Sequence, residues 1–164
     1  GINRGPNLGT DVIYSGTVSA AVEGAIRGLP AIAVSIDSFD DVHYETAAQV
    51  VVDLVEQINW SEFKPHTVLN VNVPAVPHEE LKGIRVTRLG LHRFKDIFER
   101  RQDLRGKAYF WQTGVVVDHG EESDTDVVAV SEGYVALTPI YYDMTHYDYL
   151  NTVSEWKLGL GAQA

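Results

Sequence analysis

The sequence predicts an α/β fold. Helix, strand, helix and strand follow one another through residue 74, the strand near residue 30 is continuously apolar, and the helix before it is built from small residues suited to close packing on a sheet. With 164 residues and no low-complexity linker or internal repeat, the chain reads as one domain with a core of useful size.

Residues 1–10 hold three Gly, two Asn and one Pro, which supply positive-φ positions and fixed turns, so the sequence opens on a shaped loop. Such an opening predicts an upstream segment that holds the loop, and hence a piece of a larger domain. Val18 to Arg27 follows Ser15-Gly16-Thr17 and stops at Gly28-Leu29-Pro30, which predicts a helix capped by Thr17 or a neighbour, with Arg27 in its last turn. Pro30 to Ile36 is the buried strand. Apolar residues at Val42, Ala47, Val50, Val51, Leu54, Val55 and Ile58 recur at helical spacing, and Asp40-Asp41 ahead of them reads as that helix's acidic N-terminus. Thr67 to Pro74 alternates like a strand and ends at proline.

The second half reads differently. Ile84 to Leu89, Ala108 to Gln112 and Val115 to Val117 look like strands around a charged segment, His92 to Arg105. Asp118 to Asp126 reads as an acidic loop, Val127 to Glu132 as a short helix, Tyr134 to Pro139 as a strand, and the aromatic tail as ending in a helix.

The net charge of −10 argues against binding of nucleic-acid polymers or anionic membranes, which are held by clustered Lys and Arg. It leaves room for a small phosphorylated ligand neutralised by a metal or backbone amides. The absence of cysteine excludes disulfides, zinc-thiolate sites and thiol catalysis, and fits a cytoplasmic protein. Eight of the 13 basic residues fall in Arg85, Arg88, Arg93, Lys95, Arg100, Arg101, Arg105 and Lys107, either an anion-collecting patch or a salt-bridge network. The six histidines are scattered without metal-site spacing. The tail tyrosines, Tyr141 to Tyr149, are either core packing or an oligomer contact.

Only the first 17 residues look built for chemistry. A Gly- and Asn-rich loop leading to Ser15-Gly16-Thr17 at a helix start brings hydroxyls and N–H groups together where the helix dipole favours an anion. The same pattern also describes a plain capped helix. Asn3 and Asn7 add hard carbonyl oxygens and amide donors, although each Asn also serves as a turn residue. Neither a Walker pattern nor a Gly-x-Gly-x-x-Gly fingerprint occurs.

The run Gly1-Ile2-Asn3-Arg4-Gly5-Pro6-Asn7-Leu8-Gly9, continuing through Tyr14-Ser15-Gly16-Thr17 to Gly24, resembles the signature of the stationary-phase survival protein (SurE) nucleotidases. The likeness continues at Gly28 to Ser35, Leu69 to Pro74, Tyr109 to Trp111 and Thr125 to Ile140. It implies a three-layer α/β domain with a Rossmann-like sheet. Residues 1–82 and 126–140 would form the core, and residues 83–125 and 141–164 a β-rich oligomerisation extension that makes homodimers or homotetramers. It implies a phosphomonoesterase, using Mg²⁺ or Mn²⁺, that hydrolyses nucleoside 5′- and 3′-monophosphates, with short polyphosphate as a further candidate substrate. Asn3 matches the family's metal-binding Asn, and Asn7, Ser15, Gly16 and Thr17 match its phosphate-contacting positions. The family's metal-binding aspartates lie in an Asn-Asp-Asp-Gly motif ahead of this region, and the catalytic base is expected upstream of Gly1 as well. A fragment without them would act as a nucleotide-binding or scaffold unit.

Overall fold

The computed structural model describes all residues except 41–42, 92, 119–121 and 161–164, with side chains also left undescribed at 93–97 and 112–118. Val42, His92 and His119 therefore lie outside the described residues, as does Asp41. A five-stranded sheet is ordered β1 (Asn3–Arg4), β2 (Ala31–Asp37), β3 (Thr67–Pro74), β7 (Val135–Tyr141) and β4 (Ile84–Val86). The first three strands run parallel, β7 is antiparallel to β3, and β4 is parallel to β7.

Alternation along the strands sorts their side chains between two helical layers. Ile36 of β2 and Val71 and Val73 of β3 pack with Ala47, Val50 and Leu54 of α2 (Tyr44–Gln57). On the other face, Ala31, Ala33 and Val68 pack under Val18 and Ala25 of α1 (Gly16–Ile26), and Ala136 packs under Val127, Ala129 and Val130 of α3 (Asp126–Ser131). The result is the expected three-layer α/β sandwich with a parallel-dominated, Rossmann-like sheet. The interior of β2 is largely apolar on both sides because helices cover both, with Ser35 as a buried polar residue near its carboxyl end.

The cap of helix α1, expected at Thr17 or a neighbour, lies two residues before Thr17. Ser15 is the N-cap, its Oγ accepting the Val18 N–H at 3.1 Å, so Gly16 and Thr17 belong to the first turn. The helix ends in a Schellman motif, with Gly28 at φ +80° and the Leu29 N–H donating to the Gly24 carbonyl. Helix α2 begins at Tyr44 behind an N-cap, His43, that makes no side-chain cap bond, and the Asp40 N–H is taken by the Ser38 hydroxyl. Asp40 is thus a turn residue, and the acidic cap expected from Asp40-Asp41 is not built by it; Glu45 is the acidic residue of the first turn.

Two expectations for the second half change. The charged segment 92–105 contains β5 (Arg93–Gln102), which pairs antiparallel with one long strand, β6 (Ala108–Asp118), that absorbs both strands expected there. Charge did not prevent strand formation because this two-stranded ribbon stands apart from the main sheet, and Phe98, Phe110 and Trp111 are themselves exposed. Asp103 stabilises its turn by accepting the Arg105 and Lys107 N–H groups. The boundary expected at residue 83 also shifts, because β4 belongs to the main sheet. Beyond β7 the tail forms α4 (Tyr147–Ser154), which has no buried residue. Tyr141, Tyr142, Tyr147, Tyr149 and Trp156 are exposed, so they do not serve as core. Among the described residues no helix is long and apolar enough to cross a membrane.

Candidate active site

In open α/β sheets, ligands gather at the carboxyl ends of the parallel strands. Here that edge carries the loop that leaves β1 and runs to α1. Asn3, at the start of β1, lies beside Ser35 of β2, and Ser35 lies beside Asn72 of β3.

The structure brings Asn3 and Thr17 into direct contact, the Thr17 hydroxyl donating to Asn3 Oδ1 at 3.0 Å. Asn3 Nδ2 donates to the Gly5 carbonyl at 2.8 Å, and to that of Arg4 at 3.2 Å. The amide orientation follows: its NH₂ end is held by the loop, so its carbonyl oxygen is the end turned to the start of α1. Ser15 is buried and spends one lone pair on the cap, which leaves its O–H hydrogen free to donate elsewhere. Gly16 and Thr17 open the helix, where backbone N–H groups have no intrahelical acceptor. A Cβ at Gly16 would meet nothing within 4 Å, so there is open space beside its Cα. The helix dipole adds roughly half a positive charge at this point. Together these groups can hold one phosphate-sized anion against a hard oxygen ligand.

Asn7 sits deeper, 7% exposed. Its N–H donates to Asn72 Oδ1 at 2.8 Å, and its carbonyl accepts from Asn70 Nδ2 at 2.9 Å and Asn72 Nδ2 at 3.0 Å. Its own Nδ2 donates to Ser35 Oγ at 2.6 Å, which uses one of two amide hydrogens. Asn7 therefore belongs to the same loop as the other candidates but is held from beneath by the sheet.

The acidic-loop reading missed Asp126. It is the first residue of α3 and is completely buried. Its Oδ2 accepts the Gly9 N–H at 2.8 Å, while Oδ1 accepts the N–H groups of Gly90 at 2.8 Å and Val127 at 2.9 Å. Burial pushes this carboxyl above the usual range, against the pull of those three bonds. Asp126 thus fastens the candidate loop to α3 and to the loop after β4. Ser35, Asn70 and Asn72 were missed too. The available signal was the pair of asparagines at alternate positions of an otherwise valine-rich buried strand, where a polar side chain demands a partner.

As a cation site, the arrangement offers Asn3 Oδ1 as a neutral hard oxygen next to the Thr17 hydroxyl, which fits one ligand of Mg²⁺ or Mn²⁺. Among the described residues no three His, Asp or Glu side chains gather to complete such a site. Three of the eight residues of the basic cluster form ion pairs among the described residues: Arg85 with Glu132 at 2.7 Å, Arg88 with Asp124 at 2.9 Å and with Glu122, and Arg101 with Glu99 at 2.6 Å. Of the described histidines, His66 is turned to the Ala25 carbonyl, with Nδ1 at 3.0 Å, and His78 lies 3.8 Å from Asp53.

Comparison with known proteins agrees with this architecture. The family model for survival protein SurE matches residues 1–96. The chain is 47% identical over 162 residues to a protein of Carboxydothermus hydrogenoformans named 5′-nucleotidase SurE, covering 98% of this chain and 61% of that protein. A Heliobacterium modesticaldum protein of the same name is 49% identical over 97% of this chain and 58% of its own length. The crystal structure of the SurE protein from Aquifex aeolicus superposes with a TM-score of 0.81 at 42% identity, covering 94% of this chain and 62% of that one. The chain thus spans about three fifths of the length of these relatives. With the family model matching more than half of its residues and its fold shared with a SurE crystal structure, the chain belongs to the SurE family.

Proposed function

We propose that the chain is the phosphate-binding part of a divalent-metal-dependent phosphomonoesterase that hydrolyses nucleoside 5′- and 3′-monophosphates. The observation that carries this reading is the 3.0 Å contact between Thr17, in the first turn of α1, and Asn3 Oδ1, which puts an anion cradle and a hard cation ligand at one point. The names carried by the relatives support the 5′ activity. Short polyphosphate presents the same terminal group and is a second substrate class; the acidic body disfavours nucleic-acid polymers.

In this reading Asn3 supplies one ligand of Mg²⁺ or Mn²⁺, and carboxylates outside the present sequence supply the charged ones. When bound, the ion polarises the phosphoryl group and lowers the pKa of a coordinated water. The Gly16 and Thr17 N–H groups, the Ser15 hydroxyl and the Asn7 amide bind and orient the equatorial oxygens, where charge accumulates in the transition state. Thr17 serves both partners, its N–H toward phosphate and its hydroxyl toward Asn3.

The test is phosphate release from AMP by the protein in Mn²⁺, with and without EDTA, for the parent and for Asn3→Ala. Loss on chelation, with a weakened metal requirement in Asn3→Ala, is expected. Full turnover in EDTA refutes the reading. We further propose a cytoplasmic homodimer or homotetramer, supported by the exposed aromatics of the β5–β6 ribbon and the tail. A monomer by light scattering at micromolar concentration refutes it.

A further inference from the structure

We propose that Ser35, Asn70 and Asn72 form a clamp that positions the Asn7 peptide, and through it the phosphate cradle; the inference rests on the reading of the cradle just given. All three side chains are 0% exposed. Every hydrogen bond described for the two asparagine side chains goes to one residue, Asn7, and Ser35 takes the Asn7 side chain. Asn72 holds the Asn7 residue at both ends, accepting from its N–H and donating to its carbonyl. Asn7 lies outside any helix or strand, so these bonds set its height and rotation above the sheet.

Packing alone does not account for these residues. The same strand places Val71 and Val73 on its opposite face, where only the core must be filled. On this face, beyond Val68, it carries two amides, and one is incompletely satisfied: Asn70 Oδ1 is buried without a hydrogen-bond partner. A buried acceptor without a donor is costly, so Asn70 is explained by its donor end, which holds the Asn7 carbonyl. The link to the cradle is short and internally bonded. Beyond Asn7, the Asp11 N–H donates to the Leu8 carbonyl at 3.0 Å and the Ser15 N–H to the Val12 carbonyl at 3.3 Å, while Gly9 is anchored by Asp126. The clamp on Asn7 thus fixes one end of the bonded segment that leads to Ser15, Gly16 and Thr17. Ser35, Asn70 and Asn72 are positioning residues, acting on the ligand only through Asn7.

The experiment compares Asn72→Ala, Asn70→Ala and Val71→Ala with the parent chain in three measurements: thermal midpoint, backbone amide exchange at Asn7 and Gly9, and binding of inorganic phosphate by calorimetry. Asn72→Ala removes two bonds to Asn7 and is expected to speed exchange at Asn7 by roughly tenfold or more and to weaken phosphate by about tenfold. Asn70→Ala removes one bond and is expected to give a smaller change in both. Val71→Ala is expected to lower the midpoint while leaving exchange at Asn7 and phosphate affinity within twofold of the parent. If Asn72→Ala does not fold, Asn70→Ala and Ser35→Ala carry the comparison. The clamp is overturned if a folded clamp variant binds phosphate as the parent does, or if Val71→Ala weakens phosphate as much as the clamp variants do. A parent chain that binds no phosphate overturns the cradle reading and the proposal together, a result distinct from either of these.

Discussion

Replacing Asp126 with Asn tests the tie between loop and helix most directly, because the exchange is isosteric and only the bonding changes. An Asn can present its oxygen to the Gly90 and Val127 N–H groups, but its NH₂ then faces the Gly9 N–H, donor against donor. One charge-assisted bond is lost, worth about 1.5–3 kcal/mol, and the Gly9 N–H and the new NH₂ are left as buried donors without an acceptor. Against this, the neutral amide avoids burying a carboxylate, the effect that pushes Asp126 upward. The net expectation is destabilisation by about 2 kcal/mol at pH 7. For a domain of this size that lowers Tm by roughly 4–8 °C. The assay is urea and thermal unfolding followed by far-UV circular dichroism. The pH dependence follows from the sign of the shift. Because the native carboxyl titrates above its ordinary value of 3.8, the folded state binds more protons than the unfolded state between 3.8 and the raised value. The Asp126 contribution to stability therefore falls as pH rises through that window. The gap between parent and Asp126→Asn should widen on acidification into it. A difference of less than about 0.5 kcal/mol at pH 7, within the range of ordinary surface changes, refutes the assigned role.

Gly5 has φ +91° and a Cβ there would run into the Phe39 ring, so Gly5→Ala should cost about 1–2 kcal/mol in backbone strain, with the exposed Phe39 swinging aside; unchanged thermal unfolding would contradict this. Leu54→Ala empties a 4%-exposed site against Ile36, Val71 and Val73 and should lower stability by about 3 kcal/mol in urea titration, without changing phosphate affinity at temperatures where it stays folded. Ser15→Ala removes the α1 cap and should cost about 1 kcal/mol and weaken inorganic phosphate, whereas Ser15→Thr, which can rebuild the cap, should recover most of the stability.

The layered core was legible because two simple periodicities carried it. The small-residue run of α1, the apolar run of β2 and the three-and-four spacing of α2 each state which face is covered. The candidate loop was legible from its glycines, asparagines and following helix start. Local signals failed where the deciding partner lay far along the chain. Asp126 sits among acidic residues that suggest solvent, yet its acceptors are taken by Gly9, 117 positions away, and Gly90, 36 away. Asn72 reaches Asn7 across 65 positions. Strand β5 was obscured for another reason: its ribbon is separate from the main sheet and the described side chains of β5, residues 98–102, are all exposed, so their charges follow no inside–outside alternation.

Strand β3 concentrates the logic of the site. Its odd-numbered residues, Leu69, Val71 and Val73, face α2 and contribute stability through apolar burial. On the opposite face Val68 packs under α1, but the next two inward residues, Asn70 and Asn72, hold a loop instead of filling volume. A chain selected for stability alone would gain from apolar residues on both faces, since each buried amide must recover its desolvation through hydrogen bonds and Asn70 does so only in part. The polar face is therefore retained at a cost, and what that cost secures is a defined position for the Asn7 peptide above the sheet. It follows that damage on the two faces of this one strand should separate: changes at the valines should appear first in stability, and changes at the asparagines first in ligand affinity.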